Sequence, residues 1–306
     1  MSIGIGSRPT VANSDTDYQT AIVQQVIDFI NQKKLGIYRM SFHPTVDTAL
    51  MNSCVQYYLE HCAQPLIINY YHQYPPGLSV PSDWTDSTSK ALGLLSTFNT
   101  YQNRLWLEPA NERINAQNTT PDLTAFAGYI QDFINEIRAT GYKTVKIVVD
   151  RWYNQPYSAL ASISDPENKF WLGDHHYMDQ EGSWEAARNK AQQGLDLGLK
   201  LMDTEVGAHI DEYPSFTQSL VDMVNNYLDW AKTNDVGACV WMLHGVRNWP
   251  QYTTLLGETG DQSDHPRYQG LGLRFPTPTV PTTLPFHDNF IDLNKWSTIN
   301  GTWMTK

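Results

Sequence analysis

The chain is short of cysteine, short of basic residues and free of long apolar runs. Its three cysteines, Cys54, Cys62 and Cys239, are too few and odd in number for a disulfide scaffold. Cys54 and Cys62 fall on one predicted helix, eight positions apart, too far for a bridge at a rise of ~1.5 Å per residue. No Cys-x-x-Cys pair occurs, so a thiolate zinc site is not expected. No apolar stretch reaches the roughly 18 residues that a membrane span requires, so no membrane partner is expected. The opening residues, MSIGIGSRPT, have no basic segment followed by an apolar core, and a signal peptide is not expected there. Lys and Arg number 21 against 32 Asp and Glu, a net charge of −11. That field repels phosphate backbones, so nucleic acid is not an expected partner.

What the chain has in abundance is aromatic surface: 10 Trp and 17 Tyr. Flat faces that are wet at one edge suit sugar rings as well as core packing. With 41% apolar and 17% charged residues, the 306-residue chain can bury a large core. Short β-rich runs alternate with amphipathic stretches. Strands are predicted at 3–6, 37–42, 66–71, 104–107, 144–149, within 170–177, at 199–203 and at 236–243. Helices are predicted at 17–34, 45–61, 87–101, 121–138, 183–195 and 214–232, with a short one near 157–163. In the helix at 17–34, Ile22, Val23, Val26, Ile27 and Ile30 recur at i, i+3, i+4 spacing.

Eight strands separated by helices imply parallel crossovers, and their starts recur about every 33 residues, close to the βαβ unit. The expected fold is α/β, a closed (β/α)₈ TIM barrel over 1–274. An open doubly wound sheet would carry a Gly-rich phosphate loop after its first strand, and the sequence has none. Residues 275–285, FPTPTVPTTLP, read as a stiff Pro/Thr linker. Residues 286–306, with Trp296 and Trp303, read as strand-like: the start of a truncated second domain, such as a β-sandwich, or a tail packed on the barrel.

Active sites of such barrels lie at the C-terminal ends of the strands. The fourth strand runs into Glu108-Pro109-Ala110-Asn111-Glu112, the seventh into Asp203-Thr204-Glu205-Val206-Gly207, and the sixth ends Asp174-His175-His176-Tyr177. The second carries Arg39, the third ends near His72, and the eighth carries Trp241 with His244. Two carboxylates on opposed strands can face each other across the mouth, as glycoside cleavage requires. Asp203, two residues before Glu205, is a rival nucleophile and ranks lower as a barrel-interior hydrogen-bonding group. Glu108 reads as structural. Trp152 and Trp249 read as packing residues first and outer sugar platforms second, and the Asn118-Thr119-Thr120 sequon as a chance match.

The Asn111-Glu112 pair, Glu205 in Thr-Glu-Val-Gly and the His175-x-Tyr177 pattern, with Arg39 and Trp241, resemble glycoside hydrolase clan A, nearest to its family 5 cellulase/mannanase type. The resemblance spans about residues 3–244. It implies a retaining, endo-acting enzyme on β-linked polysaccharide, without cofactor or metal. By resemblance, Glu112 is the general acid/base and Glu205 the nucleophile. Asn111 would bond the sugar 2-hydroxyl, Tyr177 would donate to Glu205, and Arg39 would keep Glu205 ionised. His72 and His175 would line the subsite and Trp241 would floor it. A polysaccharide or oligosaccharide is then the partner, the chain a monomer, and release from the cell is implied by a polymeric substrate. The acidic balance would attract a cationic polysaccharide such as chitosan. Two alternatives compete: a metal-dependent barrel hydrolase using His72, His175, His176 and Asp150, and a non-catalytic carbohydrate-binding barrel.

Overall fold

β-branched and aromatic runs of three to eight residues supply the strands: β1 (Ile3–Thr10), β2 (Tyr38–Phe42), β3 (Leu66–Tyr70), β4 (Leu105–Glu108), β5 (Lys146–Asp150), β6 (Phe170–Gly173), β7 (His175–Tyr177), β8 (Met202–Gly207) and β9 (Gly237–Val240). The structure, a computed structural model, describes residues 2–10, 16–42, 46–70, 82–111, 120–151, 156–208, 217–241, 296–299 and 302–305. It divides into two units, Met1–Pro276 and Thr277–Lys306.

In the first unit the strands pair in the order β6-β5-β4-β3-β2-β1-β9-β8-β7. Every pairing is parallel. β6 and β7 are consecutive pieces of one stave, broken at Asp174. Leu172 of β6 also bridges in parallel to Leu201, just ahead of β8. The two ends of the sheet therefore meet, and eight staves close into the expected (β/α)₈ barrel.

The outer ring holds α1 (Thr16–Lys33), α2 (Thr48–His61), α3 (Ser82–Thr97), α4 (Thr120–Ala139), α5 (Met178–Glu181), α6 (Trp184–Asp196) and α7 (Gln218–Thr233). Their spacing explains their burial. In α7, Val221, Val224, Tyr227, Leu228 and Ala231 lie on one stripe and are buried. The Ser183 hydroxyl caps α6 by accepting from the Ala186 amide at 3.1 Å. The Asp47 carboxylate caps α2, accepting from Ala49 and Leu50. α5 stops at Gly182, whose φ of 74° only glycine adopts without strain. Cys54, Cys62 and Cys239 are free and buried. Among the described residues no helix is long and apolar enough to cross a membrane.

The barrel interior is tiered. Ile37, Ile67, Trp106, Val148, Trp171, Met202 and Cys239 form one apolar cluster, one residue for each of seven staves. On the eighth, Gly4 pairs with Cys239, and a Cβ on it would come within 2.3 Å of the Ile37 carbonyl oxygen. Strand periodicity points the residues two further along inward as well. These are Arg39, Asn69, Glu108 and Asp150, with Thr204 and Trp241, all buried. The last stave positions of this second tier fall to Gly6 and Gly173. A Cβ on Gly6 would lie 2.4 Å from the Trp241 ring.

The first strand runs on to Thr10 rather than ending at residue 6, and two later strands also differ from expectation. The sixth is split at Asp174, and the seventh occupies Met202–Gly207 rather than 199–203. The polar residues Thr204 and Glu205 belong to the strand because its C-terminal half faces a polar tier. In the second unit, β10 (Trp296–Ile299) and β11 (Thr302–Thr305) form an antiparallel hairpin.

Candidate active site

A single guanidinium organises the second tier. Arg39 on β2 is fully buried. Its Nε donates to Glu108 Oε2 at 2.6 Å and its NH2 donates to Glu108 Oε1 at 2.9 Å, a bidentate pair. NH2 also donates to Asn111 Oδ1 at 2.5 Å, and NH1 donates to Glu205 Oε1 at 2.7 Å. The Trp241 ring lies under the cation, 5.0 Å from centroid to guanidinium carbon. Burial alone would weaken the proton affinity of Arg39, but the charges of Glu108 and Glu205 raise it well above the ordinary value. The arginine is therefore a fixed cation.

Glu205 on β8 is 2% exposed. Its Oε2 accepts from the Tyr177 hydroxyl, and His175 Nδ1 stands 3.5 Å from the same oxygen. His175 Nε2 lies 3.1 Å from Thr204 Oγ1 and 3.6 Å from Asp150 Oδ2. Gly207 permits the close approach of Tyr177: a Cβ there would meet the tyrosine ring at 3.0 Å. Both carboxylate oxygens of Glu205 thus accept from designated donors, which favours the charged form.

A bulge gives Glu205 this aim. Along β8 and β9 the pairing moves from Asp203↔Ala238 to Val206↔Val240, three residues against two. Thr204 and Glu205 both turn inward, whereas Asp203 faces the helices, where its Oδ2 accepts from the Tyr227 hydroxyl of α7. Asp203 is therefore not on the same strand face as Glu205 and is not a barrel-interior group. The rival-nucleophile reading is corrected by the extra residue.

Of the residues singled out in the sequence, the structure brings Arg39, Asn111, His175, Tyr177, Glu205 and Trp241 into one constellation. Glu112 and His72 lie outside the described residues, as do His244, Trp152, Trp249 and Asn118. Strand alternation separates His176 from His175. His176 turns outward to Glu181 of α5, 3.0 Å away, so the alternative donor set is not gathered in one place. Among the described residues no group of three or more His, Cys, Asp or Glu could hold a metal ion.

Glu108 was read as structural, yet it is the bidentate partner of the arginine that touches Glu205. Asn69 carries no prior assignment; its Oδ1 accepts from Ser41 at 2.7 Å, and its buried Nδ2 has no hydrogen-bond partner among the described residues. Their interior spacing, two residues beyond Trp106 and Ile67, is the signal that finds both.

A closed (β/α)₈ barrel that holds a glutamate between an arginine and a tyrosine at the C-terminal strand ends has the architecture of the barrel glycosidases. The sequence signature described as Cellulase (glycosyl hydrolase family 5) matches residues 14–246. The chain belongs to this family, within clan A, and so to the O-glycosyl hydrolases that act on β-glycans.

Among solved structures it is similar to the Thermomonospora fusca β-mannanase in its mannotriose complex, with 14% identity and a TM-score of 0.68, covering 89% of this chain and 90% of that one. The catalytic domain of a mannanase from Streptomyces sp. SirexAA-E gives 14% identity and a TM-score of 0.65, covering 89% and 85%. A GH5-4 broad specificity endoglucanase from an uncultured bovine rumen ciliate gives 13% and 0.66, covering 86% and 91%. At such identities the likeness is one of fold. A comparison with curated proteins by sequence gives no match.

Proposed function

We propose that the protein is a retaining, endo-acting β-glycanase that works by a two-glutamate double displacement on a mannan- or glucan-type polysaccharide. The observation that carries this reading is the shared hold of Arg39. It binds Glu205 directly and binds Asn111, the residue before Glu112 in the chain.

In the first step a Glu205 oxygen attacks the anomeric carbon, the bond to the leaving oxygen breaks, and the Glu112 proton passes to that oxygen. In the second step water attacks the same carbon, Glu112 takes the water's proton, and the bond to Glu205 breaks, returning both carboxyls to their starting states. Arg39 and Tyr177 stabilise the carboxylate before attack and as it departs. Because Asn111 Oδ1 accepts from Arg39, its Nδ2 remains as the donor toward the sugar 2-hydroxyl. Trp241, stacked on Arg39, floors the subsite, and His175 and His72 flank it. The barrel of 1–274 carries this activity, residues 275–285 link, and no cofactor or metal takes part. The preference for mannan or glucan draws on the mannanases and the endoglucanase that share the fold.

Glu205→Ala is expected to lower turnover of a soluble β-mannan or β-glucan by about a thousandfold or more, with azide restoring cleavage of an activated aryl glycoside as an α-glycosyl azide. Parental turnover in that variant would reject the assignment. Glu112→Ala is expected to lose the natural polymer while still forming a glycosyl-enzyme from substrates with good leaving groups. Separation of the two carboxyls by about 5–5.5 Å supports retention, and about 6.5–9.5 Å would replace it with inversion.

A further inference from the structure

Behind the staves that carry Glu205 and Tyr177 lies a second ionic cluster that the reaction above does not use. His176 of β7 is fully buried and faces outward. Its Nδ1 lies 3.0 Å from Glu181 Oε1 of α5, and its Nε2 lies 3.7 Å from Asp174 Oδ2 and 3.9 Å from Asp203 Oδ2 of β8. The ring packs on Tyr227 of α7 at 4.9 Å.

The neighbouring charges are apportioned. Asp174 accepts from Arg151, and Glu181 pairs with Lys190 of α6 at 2.6 Å. Tyr157 completes the wall, stacked under Arg151 at 4.1 Å. Among the described residues Asp203 takes no hydrogen bond or ion pair from an arginine or lysine: it accepts from the Tyr227 hydroxyl, lies 3.9 Å from His176 and feels Arg151 only at longer range. Among the described residues one of its oxygens, Oδ1, has no hydrogen-bond partner, nor does His176 Nε2. With His176 protonated, three cations face three carboxylates; without that proton the cluster holds an uncompensated buried charge on Asp203.

Geometry links this cluster to the cleft. Asp203 is the residue from which the β8 bulge departs, and Glu205 lies just across it. His176 precedes Tyr177, the donor to Glu205, and pairs across the sheet with Val206. We propose that His176 and Asp203 form a charge pair on the outer wall of the barrel that fixes the β8 bulge and so aims Glu205 and Tyr177 at the sugar. They are positioning residues, and the inference rests on Glu205 being the nucleophile. Burial raises the Asp203 carboxyl to about 6 against the pull of His176, and His176 itself, lowered by burial, is raised overall by Asp174, Glu181 and Asp203.

The test is a double-mutant cycle on the full chain with a soluble β-mannan or β-glucan. His176→Gln, which keeps a donor for Glu181, is expected to lower kcat about tenfold or more with KM within about twofold. Adding Asp203→Asn to the same chain removes the stranded charge and is expected to recover at least about fivefold of that loss. Parental kcat in the single variant, or a double variant as slow as the single, overturns the proposal. Where His176→Gln does not fold, Tyr227→Phe is measured instead. It deletes the hydroxyl that Asp203 accepts from, and about a threefold loss of kcat at unchanged KM is expected, parental kcat being the overturning result. Glu205→Ala is assayed alongside. If it keeps parental turnover, the nucleophile reading fails. If it is inactive while His176→Gln runs at parental kcat, only the positioning pair fails.

Discussion

Arg39 shows what one buried side chain imposes on its neighbours. Two carboxylates and an amide accept from it, and none of them is solvated enough to relax if it is removed. Removing a partner from a buried ion pair costs about 3–5 kcal/mol because the other charge is stranded. Glu108→Gln leaves Arg39 paired with Glu205, so it is expected to lower unfolding free energy by less than that, about 1.5–3 kcal/mol in urea titration, and to reduce activity although Glu108 is assigned no contact with sugar. The sequence made Arg39, His175, Tyr177, Glu205 and Trp241 legible because each lies where a strand meets the barrel mouth. Glu108 was not legible as part of the site: an acid after an apolar strand looks the same whether it faces solvent or a buried guanidinium. The inward register, Trp106 to Glu108, distinguishes the two.

The strand periods were clear enough in the sequence to give the barrel, and the missed features are those with no period. α5 spans four residues, too few for an amphipathic stripe. The break at Asp174 and the bulge between Asp203 and Val206 each involve a single residue. Apolar content marks the strand around Glu205 too early in the chain, because its C-terminal half is polar and lines a polar tier.

The glycines of these staves give a graded prediction. A Cβ at Gly173 would lie 2.4 Å from the Met202 carbonyl oxygen, which is backbone and held in a strand. At Gly6 the obstacle is the Trp241 ring, a side chain. Gly173→Ala is expected to destabilise by about 3 kcal/mol or more, read as a drop in Tm. Gly6→Ala is expected to cost less stability but to raise KM by displacing the Trp241 ring.

At the scale of the whole molecule, buried ionisable groups set opposite pH limits. Asp203, raised by burial to about 6, and His176, lowered by burial but raised overall by its three carboxylates, bind protons more tightly when folded. Their contribution is present at low pH and is lost as pH rises through those folded values. Burial would raise Asp174 and Glu181, yet His176 with Arg151 or Lys190 brings both below the ordinary carboxylate range. Their contribution is present at higher pH and is lost on acidification. The thermal midpoint is therefore expected to lie about 2–4 °C higher near pH 5 than near pH 8 in a calorimetric scan, and Asp203→Asn should flatten that difference. An unchanged slope in the variant would assign the alkaline loss to other groups.

The tiering of the barrel has a practical corollary. Ile37, Val148, Met202 and Cys239 occupy a dry plug on the side away from Glu205, and Arg39, Asn69, Glu108 and Thr204 form the next level up. Thermostability engineering can be confined to that plug. Volume-conserving substitutions within it are expected to move the thermal midpoint while leaving the polar level above untouched.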